Sequence, residues 1–379
     1  MHIRNARVLT ADGTLAEAGV TIAGDRIAAV GEGAADRVVN ARGLLLLPGV
    51  VDLHGDAFER QLMPRPGVQF PIDVALLDTD RQMVANGITT AMHGLTWSWE
   101  PGLRGRDAAL SFADTLDRLR PALACDTHLH LRYETYNTDA ADEVAAWLAA
   151  GRVRLLAFNN HLPAIEKLAG NPTRLAKYAE RAQMPVDAFA VLVRAVAGRA
   201  DLVEPANRRL AEIARRHGVA LASHDDETPD MRRHFHALGC DICEFPMNPA
   251  TAGEGRRLGD GIILGAPNVL RGGSHQVDGV RAADMAAAGL LDVLTSDYYY
   301  PALVHAAFRL VRDGVLDLAR AWALVSANAA RLAGFTDRGS IMPGQRADLV
   351  LIDDRDRALP RVVATMVAGR FVFAAGELA

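Results

Sequence analysis

Cysteine is scarce, with three residues in a chain of 379. That is too few for a disulfide framework at this length, which excludes the stapled secreted scaffolds. Long apolar runs are also missing. No stretch of 18 or more uncharged apolar residues occurs, and the start, MHIRNARVLT, lacks the apolar segment of a signal peptide. A membrane-spanning helix is therefore not expected, and the cytoplasm is the expected location. There is no long run of Lys or Arg and the formal net charge is -5, so nothing supports a nucleic-acid or anionic-membrane surface. Low-complexity segments and short-period repeats are absent too. Half of the residues are hydrophobic, the composition of a soluble globular protein with a large core.

Cys240 and Cys243 form a CxxC, but DICEFP reads as a buried strand and no second CxxC completes a zinc set. Core thiols are the expectation there.

The first forty or so residues alternate apolar and polar in short runs (IRNARVLT, GVTIAG, RIAAVG) broken by Asp-Gly and Gly-Asp turns, and RADLVLID, VVATMVAG and RFVFAAG repeat the pattern after Gly339. Short alternating runs between turns are strands. Residues 1–48 and 339–379 are thus expected to form one small β-sandwich, and residues 49–338 a large inserted domain. Within the insert, eight apolar runs end in polar residues: LLLLPGVVDLHGD, GITTAMHGL, ALACDTHLHLRYE, RVRLLAFNNH, VALASHDDE, CDICEFPMN, GIILGAPNV and LLDVLTSDYY. Helical spacing separates several of them, as in Asp107 to Leu119. Eight β/α units in about 290 residues predict a (β/α)8 barrel of the TIM type, with its chemistry at the C-terminal ends of the strands.

The buried strands of a parallel barrel read as continuous apolar runs, so the first polar residues mark the rim. His54 and Asp56 stand there, two apart and on one face of an extended strand, with Gly55 pointing away. Glu134, His161, His224 and Asp297 end other strands. Imidazoles and carboxylates converging on one rim suit a divalent metal, zinc first, with manganese or iron accepting the same ligands. With two ions, His54 and Asp56 would hold one, His161 and His224 the other, and Glu134 would bridge. Asp297 would touch a metal and accept the proton of the attacking water, whose pKa the ions lower. Hydrolysis is expected rather than redox chemistry.

Arg271 adjoins a Gly-Gly-Ser turn, where a guanidinium and freed amides suit phosphate oxygens; a tight loop with a surface arginine explains it equally well. Arg60 and Arg65 lie in RQLMPRPGVQFP, which prolines stiffen into a loop, and serve either substrate or rim salt bridges. The roles of His93, His128, His130, His234 and His236 stay open, structural hydrogen bonding being the commoner use.

These residues resemble the amidohydrolase superfamily: the terminal sandwich, PGVVDLH opening the barrel, the later SH, the SD on the last strand and the closing PGQRADLVLID. HGDAFE with PRPGVQFP, GITTAMHGL, HLHLRYE, ALASHDDET, GAPNVLRGGSH and LLDVLTSDYYYPAL are similar to its PhnM branch, the diphosphatases of phosphonate catabolism that act on α-D-ribose 1-methylphosphonate 5-triphosphate. The resemblance covers nearly the whole chain. It implies attack of water on the α-phosphorus, giving the 5-phosphate and diphosphate. It carries over His54, Asp56, Glu134, His161, His224 and Asp297 as metal or catalytic positions, and Arg65, Arg271, Ser274 and His275 as substrate contacts. Two departures stand out. NNHLPAIEKL puts Asn160 where that branch has an acid, lacks its Pro-Gly-Gln segment and is expected to overhang the site. HGDAFE replaces the more frequent HTDN.

The alternatives are a deacetylase or cyclic amidase cleaving a C–N bond with the same groups, and a non-catalytic metal-binding barrel. The expected partner is a phosphorylated small molecule, and the apolar terminal strands offer a surface for a homodimer.

Overall fold

The computed structural model describes residues 1–65, 67–168, 170–274 and 279–376. The run LLLLPGVV, one stretch in the sequence, divides at Gly49 into β5 (Leu45–Pro48) and β6 (Val50–Gly55). A Cβ at position 49 would lie 2.2 Å from Thr89 Oγ1, so glycine is what lets the chain pass from one sheet to the other here.

β5 belongs to a sheet of the two termini. Its other strands are β1 (His2–Leu9), β2 (Leu15–Ala23), β3 (Arg26–Val30), β4 (Val38–Asn40), β14 (Leu349–Asp353), β15 (Arg361–Val367) and β16 (Arg370–Ala374). Hydrogen bonding joins them in the order β16-β15-β14-β5-β1-β2-β3, with β4 beside β1. Pairing is antiparallel except where β1 meets β4 and β5. Alternating residues such as Ile3, Val8, Val20, Leu349 and Leu351 bury one face as this sheet's own core.

β6 opens the barrel, followed by β7 (Ile88–Trp97), β8 (Asp126–Glu134), β9 (Leu155–Asn159), β10 (Ala220–His224), β11 (Ile242–Glu244), β12 (Gly261–Gly265) and β13 (Val293–Thr295). They pair in parallel and in sequence order, and a parallel bridge between Gly55 and Asp297 joins the last strand region to the first. The eight strands are those expected from the eight apolar runs. Asp52 reinforces the seam, accepting from Ser296 N at 3.0 Å and from Ser296 Oγ at 2.5 Å. A Cβ on Gly55 would sit 2.8 Å from Asp52 Oδ2, so the residue between His54 and Asp56 stays small to let that carboxylate close the barrel.

The β/α units show why their residues fold locally as they do. The helix Arg106–Leu119 buries Ala109, Phe112, Ala113 and Leu116, one stripe of a 3.6-residue period. Truncating Phe112 to alanine should cost about 3–5 kcal/mol. The helix Pro229–Leu238 starts at Thr228, whose side chain accepts from Met231 N, and stops at Gly239 in the left-handed region (φ 100°).

Between β9 and β10 the chain adds the helices Leu162–Glu166, Pro172–Arg181 and Val186–Ala197 before the returning helix Ala200–Arg216. The added helices share a core of Leu162, Ile165, Leu175, Phe189 and Val193 that also takes in Trp99. Arg181 Nη2 ties them to Glu100 at 2.6 Å. NNHLPAIEKL thus runs from the end of β9 at Asn159 into the short helix Leu162–Glu166, whose Leu162 and Ile165 are buried in that core.

At the opposite end of the barrel, Asp126 of β8 accepts from Arg338 and Arg346, both at 2.6 Å, which fastens the terminal segment to the barrel.

Candidate metal centre

Strand β8 reads His128-Leu-His130-Leu-Arg132-Tyr-Glu134. Side chains two apart share a face, and Leu129, Leu131 and Tyr133 pack outward under the helices. The four polar residues therefore point inward at successive levels. His128 lies low, with Nε2 3.2 Å from Asp126. His130 is next, its Nδ1 3.0 Å from the Leu53 carbonyl oxygen and its Nε2 3.7 Å from Glu244 Oε2. Arg132 Nη1 donates to Asp56 Oδ2 at 3.0 Å. At the top, Glu134 accepts from the backbone N–H of His161 at 3.2 Å and makes a short contact with His161 Nδ1.

The other strands deliver their residues to the upper levels. Ala222, Ile242, Ile263 and Val293 line the barrel interior, so His224, Glu244, Gly265 and Thr295, two residues on, face the same way. Three residues at strand ends lie in the left-handed region: Asp225 (φ 59°), Phe245 (φ 51°) and Asp297 (φ 54°). Each still donates its N–H to a neighbouring strand region, to Glu244 O, Ile263 O and His54 O respectively, at 2.8–2.9 Å. Such strain in non-glycine residues costs of order 1–3 kcal/mol each and collects at functional sites.

Among the described residues, three groups of potential ligand atoms result, each with its atoms within 4.8 Å of one another: His54, Asp56 and Asp297; His161, His224 and Asp225; and the buried set His54, His130 and Glu244. His54 Nδ1 is 3.0 Å from Glu244 Oε1, and His224 Nδ1 is 3.1 Å from Asp225 Oδ2. Above them opens a cavity of about 220 Å³ walled by His54, Arg132, His161, His224, Asp225, Asn268, Arg271, Ser274 and Asp297, with Phe245, Met247 and Leu264 as apolar wall.

Burial, reinforced by Asp56, lifts the Asp297 carboxyl to about 7. Burial raises Asp56 as well, against the pull of Arg132. It lowers His54, with Arg132 adding to the effect, and takes His130 down to about 3. Glu134 and Asp225 go the other way: burial would raise them, but His161 beside Glu134, and His224 and His161 beside Asp225, outweigh it and hold each at about 2. His54 and His130 are thus neutral imidazoles with lone pairs to offer, and Asp56 and Asp297 are buried carboxyls short of the countercharge that a divalent ion would supply.

The residues fit a divalent cation on a second count. Among the described residues, His130 Nε2, Glu244 Oε2 and both amide atoms of Asn159 are buried without a hydrogen-bond partner. Buried polar atoms are nearly always satisfied, so orphans gathered beside mixed N and O ligands mark a place for an ion.

A family model described as "Amidohydrolase family" matches residues 81–373. The chain belongs to the amidohydrolase family. It is 33% identical over 328 residues to the "Alpha-D-ribose 1-methylphosphonate 5-triphosphate diphosphatase" of Escherichia coli (strain K12), covering 84% of this chain and 85% of that one. It is 29% identical over 374 residues to the "Adenine deaminase" of Methylobacterium sp. (strain 4-46), covering 96% of this chain but 57% of that protein. Among solved structures, a prolidase complexed with N-methylphosphonate-L-proline superposes with a TM-score of 0.66 at 15% identity over 99% of both chains. A 5-methylcytosine deaminase from Klebsiella pneumoniae gives 0.64 at 14% identity, over 99% and 98%. At that identity the likeness speaks for the fold, and the fold is that of an amidohydrolase barrel with a terminal sheet.

This amidohydrolase brings His54, His161, His224 and Asp297 to one cavity; Asp56 does not line it but groups with His54 and Asp297, and His161 groups with His224. Glu134 enters none of the three groups, and its carboxylate is engaged by His161. Arg271 and Ser274 line the cavity whereas Arg65 does not. Arg65 sits in a tight turn, accepting from Val68 N at 3.0 Å. His275 lies outside the described residues. Arg60 falls on a short helix, Phe58–Leu62, rather than in a loop, and reaches the Tyr298 carbonyl. NNHLPAIEKL does not overhang the site: beyond His161, none of the described residues 162–199 lines the cavity.

Sequence reasoning missed Glu244, Asp225 and Arg132. Glu244 had been absorbed into the buried strand DICEFP, although it ends that strand as His224 ends its own. Arg132 was legible in the alternation of HLHLRYE, which puts it on the face of Glu134. The CxxC cysteines are buried and free. His93 packs outside the wall between Phe58 and Phe112, and His236 bonds Asp260 at 2.7 Å. Among the described residues no helix is long and apolar enough to cross a membrane.

Proposed function

We propose that this amidohydrolase cleaves the phosphoric anhydride of α-D-ribose 1-methylphosphonate 5-triphosphate, yielding the 5-phosphate and diphosphate, with two divalent ions, zinc in the first place, at the cavity. The observation that carries the reading is Arg132. A guanidinium fixed inside the cavity that also holds the candidate ligands lowers the affinity for cations unless an anionic substrate repays it. Arg271 in the same wall adds a second positive charge. The relative of Escherichia coli, 33% identical over most of both chains, is named for this substrate.

In the proposed reaction the oxygen of water bonds to the α-phosphorus. The bond from that phosphorus to the oxygen bridging it to the β-phosphorus breaks, and diphosphate leaves with the electron pair. Asp297, whose carboxyl stands at about 7, is poised to hold the proton released by the water. Arg132 and Arg271 orient the phosphoryl oxygens and stabilise charge on them. Divalent ions, when bound, supply charge neutralisation and lower the pKa of water.

The second reading, hydrolysis of a C–N bond, draws on the 29% identity with adenine deaminase, since the same imidazoles and carboxylates serve carbonyl or amidine addition. The deciding experiment is to supply metal-loaded protein with the ribose 5-triphosphate phosphonate and, separately, with adenine, following products by 31P NMR and absorbance. Diphosphate release is expected. Turnover of adenine with no diphosphate would overturn the proposal.

A further inference from the structure

Glu244 is fully buried at the end of β11, and a carboxylate in that position needs a reason. Its Oε1 lies 3.0 Å from His54 Nδ1 and its Oε2 3.7 Å from His130 Nε2. His130 is itself fixed. Its Nδ1 faces the Leu53 carbonyl at 3.0 Å, and a carbonyl only accepts, so the ring donates from Nδ1 and keeps Nε2 toward Glu244. A lone pair there gives Oε2 no hydrogen bond, so the carboxylate is engaged through Oε1 with His54, whose ring stands nearly perpendicular to that of His130, at 85° with centroids 4.9 Å apart.

An imidazole that donates N–H from one nitrogen presents a bare lone pair on the other, and the partner of the N–H sets both tautomer and ring orientation. An ionised carboxylate can only accept, so Glu244 selects the Nδ1–H form of His54. The remaining nitrogen, Nε2, is the one left for a ligand, and His54 forms a group with Asp56 and Asp297 whose ligand atoms lie within 4.8 Å of one another.

We propose that Glu244 is a positioning residue that locks the tautomer and ring plane of His54 so that Nε2 is offered to a divalent cation shared with Asp56 and Asp297. The inference rests on reading the cluster as a metal centre and is independent of the substrate. It assigns a task to a residue that the motif at His54 and Asp56 does not reveal, 190 positions away in the chain.

The test compares wild type with Glu244→Leu, which removes the acceptor at similar volume, and Glu244→Gln, whose amide oxygen still accepts from Nδ1–H. Metal-free proteins are titrated with cobalt(II) and zinc(II) against a chromophoric chelator, with circular dichroism as the folding control. Glu244→Leu is expected to bind about 10–100-fold more weakly with an altered cobalt ligand-field spectrum, and Glu244→Gln to stay within about threefold of wild type. Wild-type affinity and spectrum in the leucine variant, or equal loss in both variants, would overturn the proposal. A wild type that takes up neither metal overturns the metal reading itself. Should the leucine variant not fold, ring 15N NMR of zinc-loaded wild type decides: His54 protonated at Nδ1 supports the assignment, and His54 metallated at Nδ1 sinks it.

Discussion

Arg132 donates from Nη1 to Asp56 Oδ2 across 3.0 Å at the floor of the cavity, so one guanidinium touches a candidate metal ligand and the substrate space together. If its task is to neutralise phosphoryl charge, Arg132→Met should lower kcat/KM by roughly 10²–10³-fold, the usual cost of losing one preorganised donor. Arg132→Lys should recover part of this, because a lysine keeps the charge without the fork. Inhibition by diphosphate gives an independent reading and should weaken in the methionine variant. Unchanged diphosphate affinity would restrict Arg132 to holding Asp56 in place.

Asp297 combines a strained backbone with a carboxyl lifted by burial and by Asp56. Asp297→Asn keeps size and removes the proton acceptor, so kcat should drop roughly 10²–10⁴-fold. Metal content measured on the same sample separates the two tasks of this residue. A variant retaining its metal and losing turnover supports proton transfer, whereas equal loss of both would make Asp297 chiefly a ligand.

The sequence made the eight strands legible because each parallel strand must be apolar until it reaches the rim, and the change of character at His54, His161, His224 and Asp297 marks where the wall ends. It made Glu244 hard to see for the same reason. DICEFP is so short that Glu244, the second of its two acids, reads as part of the buried strand rather than as its end, and only the three-dimensional approach to His54 gives it a partner. Arg132 stands in plain alternation with Glu134, but an arginine inside a barrel is costly without a partner, and only the fold shows Asp56 beside it. The helices after His161 were obscured by a comparison of motifs, since an absent Pro-Gly-Gln segment does not say what replaces it. Their apolar positions, Leu162 and Ile165 among them, form a local core.

Asp126 is held at the base of β8 by Arg338 and Arg346, with His128 3.2 Å away. Burial alone would raise its carboxyl, but His128 and the two arginines outweigh that and keep it well below the usual range. A depressed carboxylate stabilises the fold above its unfolded pKa and loses that contribution as pH falls. Asp126→Asn should therefore cost about 1–3 kcal/mol at pH 7, read as a lower denaturation midpoint, and the gap from wild type should narrow as the pH drops below about 4. A constant gap would assign the effect to packing of the terminal sheet rather than to charge.

Asp348 carries the opposite sign a few ångströms along the same arginine. Burial lifts its carboxyl to about 6 in spite of Arg346, whose Nε is 3.4 Å away. The folded state thus binds more protons than the unfolded chain between about pH 4 and 6. Stability owed to this group rises as pH falls through 6 and is complete below about 4, and above 6 the folded protein bears the full cost of a buried anion. Asparagine at 348 would keep the acceptor for Ala368 N, now at 2.8 Å, while Arg346 would keep Asp126. Asp348→Asn should accordingly stabilise the protein by about 1–3 kcal/mol at pH 7.5 and give no gain at pH 4. Chemical denaturation at the two pH values reads this directly. A destabilised variant at pH 7.5 would mean that Arg346 relies on Asp348 as well as Asp126, and that the two acids hold the terminal segment together.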